Sequence, residues 1–445
     1  MHRPPLVANS CTGIMEVGLD AQRDGSRSAA GRGARPTMAA GASLITLAVF
    51  AVSTLAQASA AQASVSQCEP ASNPGYSLDV VERSIGPGGG AVISKANGTS
   101  SFDYSFTAAH FPGRTEEEQD GLVVRVGSNT RRPWFTGFAV VRRLAGSQAF
   151  EHVDSSKMLI DCENINSSAG HPTALRPCAD DPRIVYRAAD KTYYMTYQNA
   201  SGLEYGSTRI TWIGTSQTPW DRNSWTYHSP TEIGLSPRYN HTAGMSIVLQ
   251  DGRAPKPKHV AFFMTANTAG ALYAATSTDL LHWDVGTEPW CAGRAGHFDH
   301  GGIAAGPQAE RLSDGNLLYL YSIDNVLACQ SSSCGKCGVN CSDPAASCDG
   351  GGRCIDGRCS LGWMILDGND PLKVIARATE TLIFPTLPFE TGQGQAPPFQ
   401  TPWVVFTTGL QRVGVDKFVV WYGAGDTNVG AARIKVTVPA PRHHG

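Results

Sequence analysis

The stretch Cys178-Ala-Asp180-Asp181-Pro182-Arg183-Ile184 carries the clearest chemistry in this chain. Two adjacent carboxylates, a proline that fixes the backbone and an arginine within reach can hold one carboxyl rigidly, as a general acid must be held. Asp181 is the candidate acid, and Asp180 and Arg183 beside it are candidates for binding the substrate. The same residue types also build a solvated turn or a salt bridge, so the assignment needs support from the rest of the chain. Arg125 stands in Leu122-Val-Val-Arg125 and Asp426 in Gly425-Asp426-Thr427. Read blandly, the first is a surface cation and the second a turn carboxylate. Arg183, Arg238, His241 and His300 are the cationic candidates for holding an anion.

A recurring short, aromatic-rich strand must position these groups. It appears as Gly121-Leu-Val-Val-Arg-Val126, Thr192-Tyr-Tyr-Met-Thr-Tyr197, Val260-Ala-Phe-Phe-Met264, Asn316-Leu-Leu-Tyr-Leu-Tyr321 and Lys417-Phe-Val-Val-Trp-Tyr422, usually after an Asp-Gly or Asp-Lys turn pair. The runs follow one another at intervals of 71, 68, 56 and 101 residues. The last interval shrinks to 70 when a Cys-rich segment of 31 residues, Cys329 to Cys359, is removed. Five similar units of about four strands each predict an all-β, five-bladed β-propeller over 66–445, with a small disulfide-rich insert at 329–359. The insert is expected at the connection from the fourth to the fifth blade. A two-sheet sandwich with irregular strands is the alternative architecture.

Composition agrees. A chain of 445 residues with 41 % hydrophobic content is globular, whereas 48 Gly, 27 Pro and only 17 % charged residues exclude helical bundles. A net charge of −2 supplies no excess for holding nucleic acid or an anionic membrane.

Residues 1–62 read as a leader with a signal peptide. The apolar stretch 44–55 follows Arg27, Arg32 and Arg35, and Ala56-Gln57-Ala58 and Ala58-Ser59-Ala60 offer small-x-small cleavage patterns near residue 60. The stretch is short for a bilayer span of ~20 residues; the chain starts at Met1 or at Met38, and an uncleaved anchor is the alternative. Secretion agrees with twelve cysteines and with sequons at Asn97, Asn166, Asn199, Asn240 and Asn340.

Seven cysteines crowd the insert, which has almost no apolar residues and needs cross-links in place of a core. Three disulfides use six, and the seventh is expected to pair outside, with Cys291 as the candidate. Cys162 and Cys178 are expected to pair with each other. Cys334-Gly-Lys-Cys337 would suit zinc, but no histidine lies in the insert and the secretory context favours disulfides, so no metal is expected. Cys348 to Cys359 resembles an EGF-like module, a surface for a protein partner.

Asp180-Asp-Pro-Arg-Ile184 with the strand Tyr193 to Tyr197 also resembles the Glu-Asp-Pro-Arg segment of glycoside hydrolase family 130, the β-mannoside phosphorylases and mannosidases. Asp370-Pro-Leu-Lys-Val-Ile-Ala-Arg377, Val404-Val-Phe406 with Gly409, and Val420-Trp-Tyr-Gly-Ala-Gly-Asp426 resemble later blocks of that family in the same order. The resemblance spans roughly Leu122 to Val438 and implies a five-bladed propeller. It also implies an inverting reaction in which Asp181 is the acid, acting through a sugar hydroxyl, while Arg125 and Asp426 bind the sugar. No cofactor is implied, although inorganic phosphate is a candidate co-substrate. The chain departs from the family at Phe111, at Asn240-His-Thr242, at Ser322, where the family has His, and at Cys359, where it has Tyr. Several of those positions supply contacts to phosphate, each a charge-assisted hydrogen bond of ~1.5–3 kcal/mol.

Two functional classes follow: a secreted enzyme cleaving β-mannosidic bonds by hydrolysis or phosphorolysis, and a non-catalytic glycan-binding propeller that displays an EGF-like module.

Overall fold

The structure is a computed structural model. It describes residues 68–70, 74–114, 119–128, 135–160, 178–200, 209–235, 242–250, 258–265, 270–294, 297–299, 302–324, 329–330, 346–348, 353–356, 359–392 and 403–440. The leader, Cys162, Arg238, His241 and His300 lie outside these residues, as does the side chain of Cys178.

The chain opens with β1 (Ser77–Arg83) and then forms its first blade from β2 (Tyr104–Phe111), β3 (Gly121–Ser128), β4 (Phe135–Arg142) and β5 (Met158–Ile160). The second blade comprises β6 (Cys178–Arg187), β7 (Thr192–Ala200), β8 (Arg209–Ser216) and β9 (Thr226–His228). In the third are β10 (Thr242–Val248), β11 (His259–Thr265), β12 (Ala271–Ser277) and β13 (Asp284–Ala292). Blade four holds β14 (Ile303–Ala305), a side strand β15 (Glu310–Arg311), β16 (Leu317–Asp324), and, beyond the insert strands β17 (Cys329–Gln330), β18 (Ala346–Cys348) and β19 (Arg353–Asp356), β20 (Cys359–Leu366) and β21 (Val374–Arg377). A short helix α1 (Pro388–Thr391) leads to blade five, β22 (Val405–Gly414), β23 (Lys417–Ala424) and β24 (Asn428–Thr437). Every pairing within the blades is antiparallel, and β1 adds to β24 as the outer strand of blade five, so the first strand among the described residues closes the ring. The architecture is a five-bladed β-propeller.

The repeated aromatic runs are the second strands, β3, β7, β11, β16 and β23. Each is nearly all apolar because each is covered on both faces by neighbouring blades. Among the described residues, the buried apolar side chains fall into five layers, one for each seam between blades. The irregular interval of 56 residues falls where blade four starts on a three-residue inner strand, β14.

Two expectations are corrected. The insert interrupts blade four between its strands β16 and β20, which pair from Leu317↔Leu366 to Asp324↔Cys359, rather than joining blades four and five. Its own strands form a separate sheet in the order β17-β19-β18. Cys291 pairs with Cys68, ahead of β1, across a separation of 223 residues, and not with a cysteine of the insert. Among the described residues, no helix is long and apolar enough to cross a membrane.

Candidate active site

Asp181 sits on a bulge. In the β6–β7 ladder, Asp180 pairs with Gln198 and Arg183 with Thr196, so Asp181 and Pro182 together oppose the single residue Tyr197. The bulge leaves Asp181 at φ +49°, a left-handed conformation that aspartate tolerates better than most residues, and proline fits because a bulge gives up a ladder hydrogen bond. Three of the other four inner strands repeat the device: β2 bulges at Phe106, β10 at Gly244 and Met245, and β22 at Thr408, whereas the short β14 pairs in regular register. All four bulges lie in the first half of an inner strand. At the far end, Phe111 of β2 packs edge-on against Tyr193 of blade two, so neighbouring blades run in step and the bulges share one end of the propeller.

Arg125 reaches this end from the first blade. In the ladder it pairs with Thr107, just past the β2 bulge, and the bulged residue Phe106 lies under its guanidinium, 4.3 Å from ring centroid to Cζ. Its Nη1 donates to Asp181 Oδ1 at 2.9 Å, and its Nη2 lies 2.9 Å from Asp180 Oδ1. One guanidinium therefore bridges both carboxylates across the seam. Gln198 Nε2 donates to the second oxygen of Asp181 at 3.5 Å. Both carboxylates are almost fully buried, so this planar fork holds them in water-poor surroundings.

Arg183 is placed differently from the expectation of an anion-facing cation. Its Nε donates to Gly306 O at 2.6 Å, its Nη2 to Ala305 O at 2.5 Å and its Nη1 to Asp181 O at 3.0 Å. With 2 % exposure, the guanidinium ties the Asp181 bulge to the end of β14 and acts as a brace. Gly244 makes room for it: its φ is +62°, and a Cβ there would stand 3.2 Å from Arg183 Nη2.

Asp426 lies in the turn between β23 and β24, where Gly425 and Asp426 both have positive φ and Thr427 N donates to Ala424 O, a type I′ pattern. Thr427 O accepts from Ser105 N at the start of β2. Asp426 is thus set on the blade next to Arg125, at the end that holds Asp181.

Sequence reasoning missed Gln198 and Phe106; the register of β6 on β7 could have offered the first, and the second depends on a bulge. It also missed a buried cluster on blade four. Asp299 accepts from Arg294 at 3.0 Å, Arg377 at 2.8 Å and Tyr321 Oη at 2.9 Å. Burial opposes ionisation of Asp299, but Arg377 and Arg294 outweigh it and hold the carboxyl below its ordinary range. Glu69 lies on the rim, 3.5 Å from Arg377, beside the Cys68–Cys291 disulfide.

The positions that depart from the family are occupied in other ways. Ser322 Oγ accepts from Thr407 N at 3.2 Å, linking blade four to blade five. Cys359 is fully buried and disulfide-bonded.

No family model matches the chain. Over 75 residues it is 41 % identical to a β-1,2-mannobiose phosphorylase of Thermoanaerobacter sp. (strain X514), a match covering 17 % of this chain and 22 % of that protein. The chain thus spans about a fifth of the length of the curated relative it matches. Among solved structures it is similar to one from work on the family 130 mannoside phosphorylases, described as containing glycoside hydrolases that target β-1,2-mannosidic linkages in Candida mannan. That likeness has a TM-score of 0.55 and 20 % identity over 80 % of this chain and 94 % of the other. A β-1,2-mannobiose phosphorylase of Listeria innocua in complex with β-1,2-mannobiose gives a TM-score of 0.52 at 15 % identity, over 75 % of this chain and 89 % of the other. The fold is that of the five-bladed propellers of glycoside hydrolase family 130. Within that fold, this chain carries a Cys-rich insert in its fourth blade.

Proposed function

We propose that this chain is a secreted glycoside hydrolase that cleaves β-mannosidic bonds with inversion, with Asp181 as the general acid and water as the nucleophile. The observation that carries this reading is the Arg125 fork on Asp180 and Asp181 at a bulge on the inner strand of blade two. A carboxyl held at a bulge on an inner strand can deliver a proton to a leaving oxygen, directly or through a sugar hydroxyl. Inversion then needs only a nucleophile arriving from the opposite face, and no covalent partner on the enzyme. Arg125 and Asp426 would hold the sugar from adjacent blades. The identity to a β-1,2-mannobiose phosphorylase supports a mannoside with a β-1,2 linkage as substrate.

Water is favoured over phosphate because a dianion needs a cationic cradle. Arg183 is engaged with carbonyls, Ser322 with a backbone N–H, and Cys359 with a disulfide. To test the reading, purified protein is incubated with β-1,2-mannobiose, with and without phosphate, and the products are identified. Free mannose released at a phosphate-independent rate supports it. Mannose 1-phosphate overturns the choice of water, and binding without turnover overturns catalysis in favour of a glycan-binding protein.

A further inference from the structure

At the end of the propeller away from Asp181, a cavity of about 320 Å³ opens in the seam between blades five and one, within the size range of small-molecule sites. Its polar wall is a fixed lattice. Arg143 donates to Asp120 through Nε at 2.7 Å and Nη2 at 2.8 Å, Gln411 Nε2 donates to the same carboxylate at 2.9 Å, and His110 Nε2 contacts it at 2.9 Å. Burial opposes ionisation of Asp120, but its bonds to His110 and Arg143 prevail and hold it ionised. Opposite stand Val413, which is 50 % exposed, and Trp421, whose Nε1 is buried without a hydrogen-bond partner among the described residues.

We propose that this cavity is a second, non-catalytic binding site for an uncharged sugar ring, one unit of a glycan chain. The charges of Arg143 and Asp120 satisfy each other, and Arg433, which also lines the cavity, is paired with Glu82, so the wall offers hydrogen-bonding edges with each of its cations already matched. The apolar side chains of Ile85, Val92 and Val413 beside a donor–acceptor lattice match a ring with an apolar face and a rim of hydroxyls. Such a site would tether a polymeric glycan while the other end of the propeller acts on it, and it does not depend on the chemistry assigned to Asp181.

The test uses the full secreted chain labelled with fluorotryptophan and followed by fluorine NMR. The Trp421 resonance is assigned by Trp421→Phe, and mannose, glucose and N-acetylglucosamine are each titrated in. A saturable shift of that resonance with at least one sugar, in the range of ~0.1–10 mM typical of a single-ring ligand, is expected. Gln411→Ala and the exposed Val413→Asp should each weaken it at least tenfold, and Asp181→Asn should leave it unchanged. A Trp421 resonance unmoved by all three sugars, or a shift insensitive to Gln411→Ala and Val413→Asp, overturns the proposal. So does a shift lost in Asp181→Asn, which would trace the signal to the other end.

Discussion

Arg125 and Asp181 meet across the seam between the first two blades, Nη1 to Oδ1 at 2.9 Å, and each is brought there by a bulge on an inner strand. The carboxylate and its holder therefore belong to different blades, and the contact exists only once the first two blades have packed together.

Asp181→Asn keeps the shape of the side chain and removes the proton to be donated. Turnover of a mannoside should fall ~10²–10⁴-fold, with the denaturant midpoint nearly unchanged. Arg125→Lys keeps the charge and loses the two-pronged contact, so it should raise KM as well as lower kcat. An unchanged KM would show that Arg125 does not hold the sugar.

Gly244→Ala tests the brace. It places a Cβ 3.2 Å from Arg183 Nη2 and 3.0 Å from Met264 Cε at a φ of +62°, and a loss of ~1–3 kcal/mol in equilibrium unfolding is expected. A neutral substitution would mean that Arg183 can move without cost.

The Asp299 cluster sets a pH dependence. Its carboxyl is depressed in the folded state by Arg377 and Arg294 against the opposing effect of burial. Its contribution to stability is therefore present above the ordinary carboxylate pKa and is lost as pH falls through that value toward the lower folded one. The urea midpoint of the wild-type chain should drop on acidification from pH 5 to pH 3. Asp299→Asn leaves two buried guanidiniums short of a carboxylate, which should cost ~3–5 kcal/mol at pH 7 and flatten that slope.

The Cys68–Cys291 disulfide closes a loop spanning a separation of 223 residues. Replacing both cysteines with serine should cost ~2–5 kcal/mol and loosen the segment that carries Glu69. Equal unfolding midpoints under oxidising and reducing conditions would contradict this.

Legibility from sequence followed burial. The five second strands announced themselves because each is covered on both faces and so reads as an unbroken apolar run. β1, Ser77–Arg83, did not, because as an outer strand it alternates exposed and half-buried residues and resembles any polar segment. Asp180 and Asp181 were found through their motif and Arg125 through the family resemblance, but the left-handed backbone of Asp181 and the turn of Arg183 toward Gly306 are set by tertiary packing. Cys291 was assigned to the insert because the nearest crowd of cysteines in sequence was there, whereas the ring brings the distant Cys68 within Cα reach at 5.3 Å.

Inverting chemistry by Asp181 predicts which anomer appears first. Proton NMR of β-1,2-mannobiose hydrolysis at short times should show mannose released as the α anomer before mutarotation, with no release by Asp181→Asn. β-Mannose appearing first, or undiminished release by Asp181→Asn, would contradict the assignment of Asp181 as the acid of an inverting glycosidase.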